Sequence, residues 1–240
     1  SIYDPHAPFL KAPWCLGCLR NKTWEPVPGK MNMVALEISS KANIFLKRYH
    51  LPINPRKQWP NGGLKHSNNH SKIAKSYQAN SGKVLSLLGD AGLGNLVNVG
   101  KNQQQYFSDE LIDACVVMFK EWGPQPAPTW VTCVPSLRNP TLVPDFAKRL
   151  AQALNLSFRV AIEKTDSRPE QNKFNNSFQQ ARNVDGSLAP IRDQIFSSPV
   201  LLVDDVILSG WTLTISSWLL RKNGSGEVWL LSLAQGRPNE

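Results

Sequence analysis

Val200-Leu201-Leu202-Val203-Asp204-Asp205-Val206-Ile207-Leu208-Ser209-Gly210-Trp211-Thr212 sets two adjacent acids at the end of an apolar run and follows them with a Ser-Gly-x-Thr turn. An apolar run without polar alternation reads as a strand buried on both faces, the kind a parallel sheet requires. The turn opens a periodic segment over 212–222 that stops at Gly224, so the stretch predicts strand, turn and helix. Working outward, 228–233 is a further apolar strand. Upstream, Trp130-Val131-Thr132-Cys133-Val134 is a short β-rich run, 143–154 an amphipathic helix through Phe146, Leu150, Ala151 and Leu154, and 157–162 a second strand. Strand, helix, strand repeated twice predicts a parallel sheet with right-handed crossovers, an α/β fold. Residues 163–195 carry Asn, Gln, Ser, Arg and Asp with little periodicity, and are expected to form a flap.

The same stretch carries chemistry. Backbone N–H groups over 209–212, the hydroxyls of Ser209 and Thr212 and the positive end of a helix dipole suit a monoester phosphate. Asp204 and Asp205, one step earlier, suit sugar hydroxyls or a hydrated Mg²⁺. Together they describe a ribose-phosphate site, with Ser209, Gly210, Trp211 and Thr212 on the phosphate. The plainer alternative is a capped helix after a strand with a solvated acid pair.

The first half of the chain reads differently. Of the 240 residues, 27 are Lys or Arg and 18 Asp or Glu, a formal charge of +9, and nearly all the excess lies before residue 120. Between Glu37 and Asp90 there is no acid, while Lys41, Lys47, Arg48, Arg56, Lys57, Lys65, Lys72, Lys75 and Lys83 are interleaved with Tyr49, Trp59 and Tyr77. Such a one-signed stretch favours a polyanion, and aromatic rings among the cations can stack on bases. Arg56, Lys57, Trp59, Lys65 and Lys72 are therefore candidate DNA contacts; the alternative is a solvated basic face. Periodicity predicts helices over 32–49, over 71–89 and from Ser108 to a stop at Gly123-Pro124, so residues 31–125 are expected to form an α-rich basic region.

No apolar run of about 18 residues occurs, and the N-terminus lacks a secretory layout, so the cytoplasm is the expected compartment. Four cysteines, at 15, 18, 115 and 133, are too few for a disulfide framework. Cys115 and Cys133 lie on apolar periodic elements and are expected in the core. Residues 1–30, rich in Pro and Trp, read as a knuckle around Cys15-x-x-Cys18. Ser1 in place of Met suggests a piece of a longer protein.

The acid pair and Gly-x-Thr turn resemble the phosphoribosyl-diphosphate signature of type I phosphoribosyltransferases. That resemblance implies a phosphoribosyltransferase-like domain over 126–240, Mg²⁺ as a cofactor and a pyrophosphate loop at Val134-Pro135-Ser136-Leu137-Arg138-Asn139, with Ser136 and Arg138 as its contacts. Lys164 and Arg168, opening the polar insertion, would add charge from the flap. Leu208 departs from the pattern, since active members usually carry Thr, Ala or Asp there. A branched apolar chain does no acid–base work.

A wider resemblance runs through CLGCLRN, PRKQWPNG, LLGDAGLGNLVNVGK, PTWVTCVPSLRNPTLVPDFAKRLAQAL, NNSFQQARN and PVLLVDDVILSGWTLT. These are similar to the C-terminal region of bacterial RecQ-family ATP-dependent DNA helicases that end in a phosphoribosyltransferase-like domain. It implies DNA as a partner, a role in repair or recombination and a motor N-terminal to this segment. Residues 94–101 miss the ATPase motif in spacing, and Asn102 stands where Ser or Thr is needed. Cys15 and Cys18 resemble the end of the RecQ zinc motif, but Asn21 takes the place of the next ligand and a closed zinc site needs four. His66 and His70 are the alternative completing pair. A competence-type protein of similar fold with an N-terminal zinc knuckle is a third reading.

Overall fold

A computed structural model describes residues 51–61, 64, 65, 72–166 and 176–236. Eight strands and five α-helices follow in chain order: β1 (Leu51–Ile53), β2 (Gly82–Leu87), α1 (Leu93–Val99), α2 (Asp109–Trp122), β3 (Trp130–Cys133), α3 (Leu142–Ala153), β4 (Ser157–Phe158), β5 (Ile162–Lys164), α4 (Ser177–Val184), β6 (Leu188–Pro190), β7 (Val200–Ile207), α5 (Trp211–Lys222) and β8 (Val228–Gln235). Six strands form one sheet in the order β1-β2-β8-β7-β3-β4; only β1 runs antiparallel to its neighbour. The expected mixed α/β fold with a mostly parallel sheet is what the chain adopts.

β7 is central because nothing polar interrupts it before Asp204. Its residues alternate between two cores. Leu201 and Val203 pack with Leu85, Leu231, Leu111, Phe146 and Leu150 under α1, α2 and α3. Val200 and Leu202 pack with Val84, Trp130, Leu230, Leu213 and Leu220 under α5 on the other face. Two covered faces are what an all-parallel core demands.

Four expectations change. The helix expected over 71–89 is a single 3₁₀ turn at Lys75–Tyr77 followed by β2. Val84-Leu85-Ser86-Leu87 is too short an apolar run for periodicity to separate helix from strand. The deciding feature is Gly82: a Cβ there would lie 2.1 Å from the Leu230 carbonyl oxygen, so only glycine lets β2 lie this close to β8. Consequently the boundary expected at 125/126 is crossed by the sheet, with β2 paired to β8.

The flap expected over 163–195 contains α4 and β6, and β6 pairs with β5 as a separate antiparallel ribbon. Ala181, Val184 and Leu188 bury themselves in the α5 face. The strand expected over 157–162 divides between β4 in the main sheet and β5 in this ribbon.

Ser108 does precede α2, but its hydroxyl donates to the Glu110 carboxylate at 2.9 Å and makes no side-chain cap hydrogen bond. Gly123, in the left-handed region at φ 55°, closes the helix. The knuckle over 1–30, the helix over 32–49, Cys15, Cys18, His66, His70 and Arg168 lie outside the described residues.

Candidate ribose-phosphate site

The C-terminal end of β7 meets the N-terminus of α5 in a cavity of about 150 Å³ lined by Asp204, Asp205, Leu208, Gly210 and Thr212 with Val206, Ile207 and Leu213. Parallel sheets place such crevices here because every strand delivers its loop to the same edge. Gly210 stands at φ 78° as the residue before α5. A Cβ there would meet no atom within 4 Å, so the conformation and not the space favours glycine. The first turn of α5 holds no acidic residue, leaving its N–H groups and dipole uncompensated by charge. The Trp211 N–H points to Ser209 Oγ at 3.4 Å.

Both acids line the cavity at the end of β7, and Asp205 reaches across to Lys101, just beyond α1. Both are buried at 8% exposure. Asp204 Oδ1 accepts from the Asp205 N–H at 2.9 Å, and Asp205 Oδ1 from the Val206 N–H at 2.6 Å. Asp205 Oδ2 accepts from Lys101 Nζ, an ion pair between residues 104 apart in the chain. Lys101 sits in the π turn that extends α1.

Burial, and next the Asp205 charge, push the Asp204 carboxyl up to about 8, against the opposing pull of Lys101, the Asp205 N–H and Lys164. Burial therefore favours the protonated form of Asp204, while Asp205 is ion-paired with Lys101. Cys133, on the next strand, is pushed up to about 12 by burial and by the Asp204 charge. It is an inert core thiol, as is Cys115.

The other predicted residues are placed as follows. Ser136 and Arg138 occupy the turn after β3, at the same sheet edge, and Ser136 Oγ accepts from the Asn139 N–H at 3.3 Å. Neither lines the cavity. Lys164 ends β5, on the Asp204 side. Trp211 contributes backbone to the turn, while its ring is buried at 2% exposure and its Nε1–H donates to Ser177 Oγ at 2.8 Å.

Trp59 is not a base-stacking residue. It is 7% exposed, stacked on Trp211 with ring centroids 6.4 Å apart and set edge-on to Trp218 at 5.7 Å. An aromatic among cations looks the same in sequence whether it faces solvent or a helix of tryptophans. Lys57, Lys65 and Lys72 are exposed. Arg56, also expected on DNA, turns instead to the turn before α5: its Nε and Nη2 donate to the Ser209 carbonyl at 3.3 and 3.0 Å.

Among the described residues no group of three or more His, Cys, Asp or Glu is placed to hold a metal ion, and no helix is long and apolar enough to cross a membrane. Sequence reasoning missed Lys101. In sequence it closes the 94–101 string, and no local signal ties it to an acid on another strand.

No family model and no curated protein matches the chain. Among solved structures, adenine phosphoribosyltransferase from Saccharomyces cerevisiae, complexed with an imino-altritol bisphosphate and adenine, is similar at 17% identity and a TM-score of 0.39, over 81% of this chain and 90% of that one. Another adenine phosphoribosyltransferase is 16% identical with a TM-score of 0.36, over 55% and 79%. The allosteric regulatory enzyme of purine biosynthesis is 21% identical with a TM-score of 0.34; the match covers 46% of this chain and 23% of that enzyme's length.

Proposed function

We propose that the cavity binds a pentose phosphate of the phosphoribosyl-diphosphate type and that the chain binds it with little or no turnover. One observation carries this reading: a single cavity gathers the acid pair, Gly210 and Thr212 at the start of an acid-free helix turn. The N–H groups there take the phosphate, and Asp204 and Asp205 take sugar hydroxyls. The two acids would also hold a hydrated Mg²⁺ by donor chemistry once Asp204 is ionised and Lys101 gives way on Asp205. When bound, that ion supplies positive charge to the diphosphate oxygens.

Leu208 lines the same cavity, and a Cβ on Gly236 would fall 2.4 Å from its Cδ2, so its place is fixed by close packing. It offers no proton to a leaving group or base. Calorimetric titration with ribose 5-phosphate and with phosphoribosyl diphosphate, each with and without Mg²⁺, tests the site. Saturable heat lost in Asp205→Asn is expected; no heat from either ligand sinks the reading. Pyrophosphate release with a nucleobase, abolished by Asp205→Asn, would promote the rival, a working phosphoribosyltransferase.

The RecQ resemblance extends the reading to a non-motor C-terminal module of a DNA helicase. Its support is the sequence stretches named above together with the basic surface. The Gln58–Lys72 bridge and the Ile73 N–H to Lys57 carbonyl bond, at 3.0 Å, bring the exposed Lys57 and Lys72 segments side by side. Removing Lys57, Lys65 and Lys72 together is expected to flatten the dependence of log K for DNA on log salt by about 0.7 to 0.9 per lost phosphate contact. An unchanged slope reduces these lysines to a solvated face.

A further inference from the structure

Arg56 is separated from Ser209 by 153 positions, yet its guanidinium grips the backbone of the turn between the acid pair and α5. Nε and Nη2 converge on one acceptor, the Ser209 carbonyl oxygen. The guanidinium carbon lies 5.2 Å from the centroid of the Trp211 ring, the first residue of α5. The Arg56 N–H also donates to Thr214 Oγ1 at 3.2 Å, in the first turn of that helix. Backbone and side chain of one residue therefore clamp both sides of the turn.

A planar trans peptide has consequences for the other end of the bond. Holding the Ser209 carbonyl on Arg56 turns the Gly210 N–H the opposite way, and Gly210 lines the cavity. A glycine at positive φ has the widest conformational choice in the turn, so an external clamp is what removes that choice. The guanidinium also leaves a fixed positive charge beside the turn, on an aromatic face that suits it.

We propose that Arg56 is the positioning residue of the phosphate turn: it orients the Gly210 N–H and makes the cavity selective for a phosphorylated pentose over the unphosphorylated sugar. The inference rests on the ribose-phosphate reading of the cavity. It moves Arg56 from a nucleic-acid surface to the small-molecule site.

The experiment compares ribose 5-phosphate with ribose on wild type, Arg56→Ala and Arg56→Lys by calorimetry, with melting temperatures measured alongside. Arg56→Ala is expected to weaken ribose 5-phosphate by about ten- to a hundredfold, the loss expected for a charge-assisted hydrogen bond, while ribose affinity stays unchanged. Arg56→Lys keeps the charge but not the fork, and is expected to recover only part of the affinity. Added ethylguanidinium is expected to rescue Arg56→Ala and not Arg56→Lys.

Equal losses for both sugars, or full affinity in Arg56→Lys, overturn the positioning role, because the first means general disorder and the second that charge alone suffices. If Arg56→Ala is too unstable to assay, the lysine variant decides. Failure of wild type to bind ribose 5-phosphate refutes the underlying reading. Wild-type binding with an unaffected Arg56→Ala refutes this inference alone.

Discussion

Trp59→Ala is expected to destabilise the fold by about 3 to 5 kcal/mol, the range for removing a buried tryptophan. Trp59 stands between Trp211 and Trp218 on α5, parallel to the first and edge-on to the second, in the core that also buries Ile53, Val84, Trp130, Leu202 and Leu230. Each such aromatic pair adds about 0.5 to 1.5 kcal/mol beyond area burial, so the loss lies at the upper end of the range. Against a total stability of roughly 5 to 15 kcal/mol this removes a large part of the fold's margin. Equilibrium denaturation should register it as a lower midpoint with an unchanged slope. Because Trp211 lies between the cavity-lining Gly210 and Thr212, ribose 5-phosphate affinity should fall in parallel. A stable Trp59→Ala variant with a selective defect in DNA binding would restore the stacking role expected from its basic neighbours.

The contrast between Trp59 and the 200–212 stretch explains what was legible in the sequence. From 200 to 222 the fold is dictated locally: an uninterrupted apolar run, a turn that needs positive φ at Gly210 and a helix whose buried set includes Trp211, Leu213, Trp218 and Leu220. Each signal lies within one turn or pleat of its effect. The strand before α1 was not legible because Gly82 is explained only by Leu230, on a strand far along the chain. Trp59 belongs to the same class. Its burial depends on where α5 presents tryptophans, and no periodicity near residue 59 encodes that.

The candidate site divides along the same line. Asp204, Asp205, Gly210 and Thr212 lie in one short stretch, 204–212, so their chemistry could be read together. The cations that tune them, Lys101 and Arg56, arrive from elements 104 and 153 residues away. In sequence each stands among unrelated neighbours, Lys101 at the end of a phosphate-loop-like string and Arg56 within a basic run. In the fold, each neutralises or orients one side of the same strand end. Charge counted along the chain does not show that Arg56, though exposed, has its guanidinium bonded to the turn.

Asp204→Asn is expected to raise stability at neutral pH while weakening the ligand, and the sign follows from the acid's environment. An ordinary aspartate carboxyl titrates near 3.8, whereas burial and the adjacent Asp205 charge hold this one up to about 8. Below the lower value both folded and unfolded chains carry the proton, and the group is neutral with respect to folding. Between the two values the unfolded chain releases its proton and the folded chain keeps it. Stability then falls with rising pH by at most about 1.4 kcal/mol per unit. Above the folded value the loss is complete. Asparagine matches the shape of the neutral acid without this titration, so the advantage of the variant should be small near pH 4 and grow toward pH 8. Denaturant midpoints across that range measure the gap directly. The same substitution removes a carboxyl that lines the cavity, so ribose 5-phosphate affinity should drop as stability rises. That opposition is the signature of a group retained for binding at the expense of the fold. A variant that instead loses stability at neutral pH would mean that the Lys101 and Lys164 charges dominate and that Asp204 is ionised in the native protein.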